Sequence, residues 1–487
     1  MKCWSDWPKG RRTPEPEVGW QLRANSRGHC STGVTGEAVE RRRLKMGEEQ
    51  ARSAATEKRE ERFKRWLSPD VKFVSPQAEN AYKERVTRLI EAIQLEEPDR
   101  VPCILPVMCF PAHYAGTTLH TVMHDYDELR RAWLKFLREF DMDTYSPPGM
   151  VPPAKALEAV DYKLYKWPGH GLPATTSSYQ CVEGEYMKAD EYDALIKDPS
   201  HFWVRVYMPR IFGALEPFRK LPFFTSWQEL PMISFVPFGA PDVQAAFQAL
   251  LDAGRESMKW LAAVADCRRE ALESGLPAPS GGLAKAPFDT IGDTLRGTHG
   301  VFIDMYRQPG KLIEAMERIT PLTIDSAVAA ANVSGTPLIT IPLHKGADGF
   351  MSEKQYQTFY WPTLKKVIMG LIDEGIVPIL FAEGSYDNRL EIIKDLPRAS
   401  VVWYFERTDM ARAKEALGDI ACIMGNVPAS LLMIGKPEEV KEHCRELIRT
   451  CGRGGGYILA GGASINEGNP DNLRGMMAAA KQYGAYK

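Results

Sequence analysis

No run of this chain approaches the roughly 20 consecutive apolar residues that a membrane-crossing helix needs, so no membrane-embedded role is expected. Neither charge sign prevails: 61 lysines and arginines face 63 aspartates and glutamates, a net charge of −2. That balance gives no electrostatic reason for a nucleic-acid or membrane partner. There is no Cys-x-x-Cys pair, and the nine cysteines (Cys3, Cys30, Cys103, Cys109, Cys181, Cys267, Cys422, Cys444 and Cys451) are odd in number. A disulfide framework is thereby disfavoured, and a reducing, cytoplasmic setting is expected. No glycine-rich turn follows the first apolar run, which argues against a dinucleotide-binding sheet. Residues 1–45 have neither an apolar period nor the apolar core of a secretory signal. They are expected to be disordered, with Met46 as the natural start.

What is present is a long alternation. LITIPLH (338–344), VPILFAEG (377–384), SVVWYFER (400–407), ACIMGN (421–426) and GYILAGG (456–462) are short apolar runs separated by amphipathic helical stretches. That order argues for a parallel α/β sheet. Upstream, RVPCILPVM (100–108) reads as a first strand, DTYSPPG (143–149) as a short second one and GGLAKAPF (281–288) as a third. About eight strands result, at 101–108, 143–147, 283–288, 338–344, 377–383, 400–406, 421–425 and 457–461. The predicted fold class is α/β, a (β/α)8 TIM barrel over 79–487, with an N-terminal extension (1–78, disordered or helical) and an inserted, mainly helical segment at about 150–280 that carries one strand-like run, MISFVPF. An open doubly wound sheet is the alternative.

Local punctuation supports the helices. Ser352 and Gln355 form a capping-box pattern, Pro362 should kink the helix they open, and Asn469–Pro470 caps the last one. Cys444 and Cys451, seven apart beside Val440, Leu447 and Ile448, read as core residues. The run Gly452 to Gly456 reads as a helix stop and tight turn.

His344, Glu383 and Glu406 stand at the C-terminal ends of three successive strands, the rim where barrels place their chemistry. One imidazole and two carboxylates brought together there make an N/O ligand set for Zn²⁺ with an open position. The alternatives are structural: Glu406 paired with Arg407, Glu383 paired with Lys285 or Lys345, and His344 bonded to a backbone carbonyl. Around them, His113 is a candidate general acid and Tyr145 a candidate hydrogen-bonding partner of substrate. Lys345, Asp348, Tyr386, Asn388, Arg389 and Asn426 are candidate substrate-binding residues on the rim loops.

ERVTRLIEAIQLEEPDRVPC, APFDTIGDTLRG, HKGADGFMSEKQYQTFYWPTLKKVI, CIMGNVPASLLMIGKPEEVKEHCRELI and GGGYILAGGASINEGNPDNLRGMMAAAKQYG occur in that order along the chain. This set resembles the uroporphyrinogen decarboxylase superfamily, whose members also include methylcobamide:coenzyme M methyltransferases. The resemblance implies a TIM barrel and the possibility of a homodimer. True decarboxylases of the family carry an arginine-rich carboxylate-gripping segment after the first strand. Here that place reads CFPAHYAG, without arginine. The decarboxylases also carry an aspartate at the second strand end, where YSPPG stands, and a Gly-His-Gly pattern at the last, where GGASI stands. The methyltransferases' thiolate zinc set is likewise missing: Glu383 stands where a cysteine ligand would be, and Ala463 at roughly the late cysteine place. Glu406 falls near a glutamate ligand of the distantly related methionine synthases. Kinship therefore implies metal-assisted demethylation of a small methylated substrate, with a corrinoid on a partner protein as acceptor. Porphyrin-pathway decarboxylation and non-catalytic corrinoid or tetrapyrrole binding are the alternatives.

Overall fold

The five late apolar runs do form parallel strands, each rich in the β-branched and aromatic residues that suit a sheet buried on both faces. In the computed structural model, which describes residues 53–224 and 232–486, they are β2 (Leu338–Leu343), β3 (Val377–Ala382), β4 (Val402–Phe405), β5 (Cys422–Val427) and β6 (Tyr457–Gly461). With β1 (Cys103–Ile104) they make a six-stranded sheet in the order β1-β6-β5-β4-β3-β2, parallel throughout. The helices used below are α1 (Pro76–Ile93), α2 (Tyr126–Glu139), α3 (Pro241–Glu273), α4 (Pro309–Ser334), α5 (Trp361–Asp373), α6 (Pro437–Cys451) and α7 (Pro470–Tyr483). The expectations for residues 1–45 and Met46 lie outside the described residues.

The expected second and third strands are not strands. At 283–288 only Leu283 bridges, to Thr340, with Gly281, Gly282 and Ala284 sharing hydrogen bonds with Leu338 and Thr340. Pro287 then opens a short helix, Pro287–Asp289, because its ring sets a helical φ. At 143–147 a side chain replaces the ladder. Asp143 is buried, and it accepts from the Cys103 amide at 2.8 Å and from Arg88 and Arg100 at 2.7–2.8 Å. Pro147 and Pro148 follow and have no N–H to donate. The wall thus completes its circuit through irregular backbone: the Tyr145 amide donates to Pro277 O just before the 281–284 stretch.

Strand residues alternate between two cores, as period two requires. Ile339, Ile341, Leu343, Leu380, Trp403 and Phe405 belong to the cluster containing Leu364, Val367 and Leu371 of α5, toward the helices. Leu338, Val377, Ile379, Met424, Ile458 and Ala460 belong to the interior cluster. The base of that interior is filled by Phe63 and Trp66, from a helical stretch at 53–67, and by Tyr82 and Ile93 of α1. Residues 53–78 therefore pack within the same unit as the barrel, which runs Ala51–Lys487.

The insertion is mainly helical. MISFVPF is helix and 3₁₀ turn rather than strand, Met232–Phe235 and Val236–Gly239, with no ladder partner. A small sheet of Tyr165–Pro168, Gly171–Leu172 and Gln180–Cys181 precedes it, and the 33-residue α3 follows. Ser352 and Gln355 make their capping box, but the helix passes through a π turn, Tyr356–Tyr360, before α5. Pro362, lacking an N–H, sits where the hydrogen-bond register slips. Asn469 caps α7 by accepting from the Asp471 amide. Cys444 and Cys451 are fully buried on α6, and Gly454, Gly455 and Gly456 turn the chain into β6 at φ of 77°, 76° and 67°. Among the described residues no helix is long and apolar enough to cross a membrane.

Candidate active site at the barrel rim

Strand register brings the predicted rim residues into one row. Pro342 pairs with Phe381, Phe381 with Tyr404, and Tyr404 with Met424. Two residues further on, the same register sets His344 beside Glu383, Glu383 beside Glu406, and Glu406 beside Asn426. All four share the interior face, because Phe381 and Tyr404 below them stack at 4.3 Å.

The heads in that row do not form a ligand set. His344 Nε2 lies 3.6 Å from Glu383 Oε1. Glu406 turns away, accepting from the Gly384 amide at 2.6 Å and pairing with Arg407 at 3.4 Å. Among the described residues no three His, Cys, Asp or Glu side chains are grouped to hold a metal ion. Of the three residues expected to hold zinc, His344 and Glu383 face each other, while Glu406 is engaged by the Gly384 amide and Arg407.

What surrounds His344 instead is an acid–base chain. Its Nδ1 is 2.6 Å from Asp293 Oδ2, and Lys285 Nζ and Lys345 Nζ reach the same carboxylate at 2.8 and 2.7 Å. Asp289, fully buried one helical turn earlier, accepts the amides of His344 and Lys345 at 2.9 and 3.0 Å and the Tyr360 hydroxyl at 2.6 Å. Asp293 and Tyr360 both come from π turns, Thr290–Leu295 and Tyr356–Tyr360, a local widening often met at functional sites.

The electrostatics follow from these contacts. Burial alone would lower the His344 pKa, but the hydrogen bond and charge of Asp293 raise it, favouring imidazolium. Burial opposes ionisation of Asp293, yet His344 and Lys285 hold its carboxyl well below the usual carboxylate range. Glu383 moves up, chiefly through burial, with His344 opposing and Glu406 adding repulsion. Asp289 moves up through burial and the neighbouring Asp293 charge. An imidazole oriented at one nitrogen by a carboxylate, with its other nitrogen 3.6 Å from Glu383, can exchange a proton on that side.

The remaining predicted residues fall into two groups. Asp348, Asn388, Arg389 and Tyr386 lock the rim loops to each other. Asp348 accepts from Ser385 Oγ at 2.9 Å and the Asn388 amide at 3.1 Å, buried Arg389 donates to Gly346 O and lies 4.7 Å from the Tyr356 ring, and the Tyr386 amide donates to Thr408. Asn426 sits in the row and donates to Thr408 O at 2.8 Å. His113 is exposed on the short helix Phe110–Tyr114 after β1. Tyr145 stands away from the rim, buried, its hydroxyl donating to Trp133 O at 3.2 Å. Sequence reasoning missed Asp289, Asp293 and Tyr360. The signal was present in APFDTIGDTLRG, where two aspartates four apart share one helical face immediately after an apolar run expected to be a strand.

The family model described as uroporphyrinogen decarboxylase (URO-D) matches residues 230–483. The uroporphyrinogen decarboxylase of Aromatoleum aromaticum is 26% identical over 242 residues, 47% of this chain and 62% of that one. That of Syntrophotalea carbinolica is 26% identical over 168 residues, 34% of this chain and 48% of the relative. The chain thus spans less than two-thirds of the curated relatives it matches. A solved methyltransferase from Methanosarcina mazei superposes with a TM-score of 0.51 at 16% identity, covering 82% of this chain and 98% of that one. At that identity the likeness speaks for the fold, a TIM-barrel-like α/β architecture. Because the family model spans more than half of the 487 residues, β2 to α7 and their rim loops included, this chain belongs to the uroporphyrinogen decarboxylase (URO-D) family.

Proposed function

We propose that this protein is a methyltransferase that demethylates a small substrate by acid catalysis, with His344 as the proton donor. The observation that carries the reading is the Asp293–His344–Glu383 chain at the barrel rim. A methyl group bound to a heteroatom leaves easily only if the heteroatom is protonated as the bond breaks. The C–X electron pair stays on X, the Nε2 proton moves to X, and the methyl passes to a nucleophile. A reduced corrinoid on a partner protein would supply that nucleophile. Asp293 keeps the imidazole charged and in position, and Glu383, biased toward its protonated form, returns the proton. Zinc is not needed for this step, and no part of it is routed through a metal. The absence of arginine from CFPAHYAG after β1 weighs against a substrate with many carboxylates, such as uroporphyrinogen.

The test is formation of methylcobalamin from cob(I)alamin and a panel of methyl ethers, thioethers and amines. His344→Ala should lower the rate by about 10²–10⁴-fold, and treatment with EDTA should leave it unchanged. A stoichiometric zinc lost together with activity in Glu383→Ala would overturn the acid mechanism. Coproporphyrinogen formed from uroporphyrinogen, with no methylcobalamin from any donor, would overturn methyl transfer.

A further inference from the structure

A cleft of about 700 Å³ adjoins the rim cluster, with His344 and Lys285 in its lining. The insertion contributes Phe202 and Trp203 to its walls, α4 contributes Ile319 and Leu322, and the 283–284 stretch contributes Leu283. Trp203, Leu283 and Leu322 are large apolar side chains left 50%, 54% and 48% exposed. Each alone would be ordinary on a protein surface, but here they share one concavity with His344. The volume falls in the range of about 300–1,000 Å³ typical of small-molecule sites.

The charges of the cleft select its ligand. Lys285 is committed to Asp293 at 2.8 Å, and the same carboxylate takes Lys345 at 2.7 Å. A ligand carboxylate entering here would therefore have to displace Asp293 from its lysines, or crowd at His344 against Glu383, 3.6 Å from Nε2, and Asp293, on Nδ1. Either cost is large compared with the gain from apolar contact. A ligand without charge pays neither cost, and Ser200 adds a hydroxyl to the lining, whereas the Thr290 and Thr294 hydroxyls already donate to Ala286 O and Thr290 O.

We infer that this cleft binds a neutral, largely apolar small molecule that presents one hydrogen-bond-accepting heteroatom to His344. The identification of that heteroatom with the leaving atom rests on the proposed methyl transfer; the binding preference does not. The test is equilibrium binding to the full-length protein, followed by tryptophan fluorescence and calorimetry, of 2-methoxynaphthalene and of its carboxylated counterpart 6-methoxy-2-naphthoate. The neutral compound should saturate one site and bind at least about tenfold more tightly. Trp203→Ala and Leu322→Glu, both at half-exposed positions, should each weaken it by about fivefold or more while the thermal midpoint stays close to that of the wild type. Equal or tighter binding of the carboxylate, no saturable binding, or affinity unchanged in both variants would overturn the inference. The two claims separate cleanly. Neutral binding without any methylcobalamin formed would remove methyl transfer and leave the cleft assignment standing, whereas methyl transfer with a carboxylate preference would do the reverse.

Discussion

Asp293 determines what His344 can do. Its carboxylate is shared by an imidazole and two ammonium groups, so Asp293→Asn leaves Lys345, 9% exposed, facing a neutral amide. Breaking a partly buried network of this kind costs about 3–5 kcal/mol, which urea unfolding would register. The pH dependence has a definite sign. His344 has its pKa raised in the fold, so its pairing stabilises fully below the unfolded imidazole value of about 6.5 and fades as pH climbs through the higher folded value. Asp293 is depressed, so its share is present above about pH 4 and fades as pH falls toward its folded value. The stability gap between wild type and Asp293→Asn should be widest between about pH 4 and 6.5. It should narrow at pH 9 without vanishing, because both lysines remain charged there. A gap that grows toward pH 9 would contradict this account. Glu383 behaves oppositely: burial raises it, so its ionised form costs stability at neutral pH. Glu383→Gln should leave the thermal midpoint unchanged or higher while slowing turnover by about tenfold or more, a combination that calorimetry and the cobalamin assay read independently.

Among elements, the informative place is where two expected strands are missing. Between β1 and the 281–284 stretch the wall is closed by the Asp143 side chain, which receives the Cys103 amide and two guanidinium groups. Asp143→Ala strands Arg88, 6% exposed, without that partner. The predicted loss is about 3–5 kcal/mol, seen as a lower urea midpoint, with the rim geometry and therefore residual activity per folded molecule little changed. A loss under about 0.5 kcal/mol, ordinary for a surface position, would mean that the ladder does not depend on this carboxylate. The π turns carry a parallel lesson. Both end in regular helix, yet each rotates one polar side chain toward the site: Asp293 onto the His344 ring, and Tyr360 onto Asp289, which in turn accepts the His344 and Lys345 amides.

At the scale of the whole molecule, the barrel floor is made by residues that precede it in the chain. Trp66 is 3% exposed and shares a cluster with Leu338, Val377, Met424 and Ile458, drawn from four different strands. Trp66→Ala should cost about 3–5 kcal/mol, comparable to an interior strand residue, and denaturant unfolding should stay a single transition. A separate early transition would instead mark the 53–93 region as an independent unit. The rim is open at the other end, where the insertion supplies Phe202 and Trp203 to the cleft beside His344. Barrel floor, barrel wall and part of the cleft lining thus come from three separate parts of the chain.

The strong periodicity of β2 to β6, the glycine stop before β6 and the row His344, Glu383, Glu406 were legible in the amino-acid order, because apolar alternation, turn chemistry and strand ends are local properties. The 143–147 and 283–288 stretches were misread for the same reason: a short apolar run carries strand propensity, but whether a ladder forms depends on a partner at the right distance. Asp143 and Pro287 decided otherwise. Which carboxylates meet His344 was equally out of reach. Side chains 51 residues apart, Asp293 and His344, become neighbours only through packing, and Glu406 loses its place beside them to a backbone amide 22 residues earlier. Sequence by itself determined the α/β architecture and put ionisable residues at the ends of its strands. Tertiary structure alone set Asp293 rather than Glu406 beside His344, since which carboxylate reaches the imidazole depends on how separate loops pack and not on any local pattern.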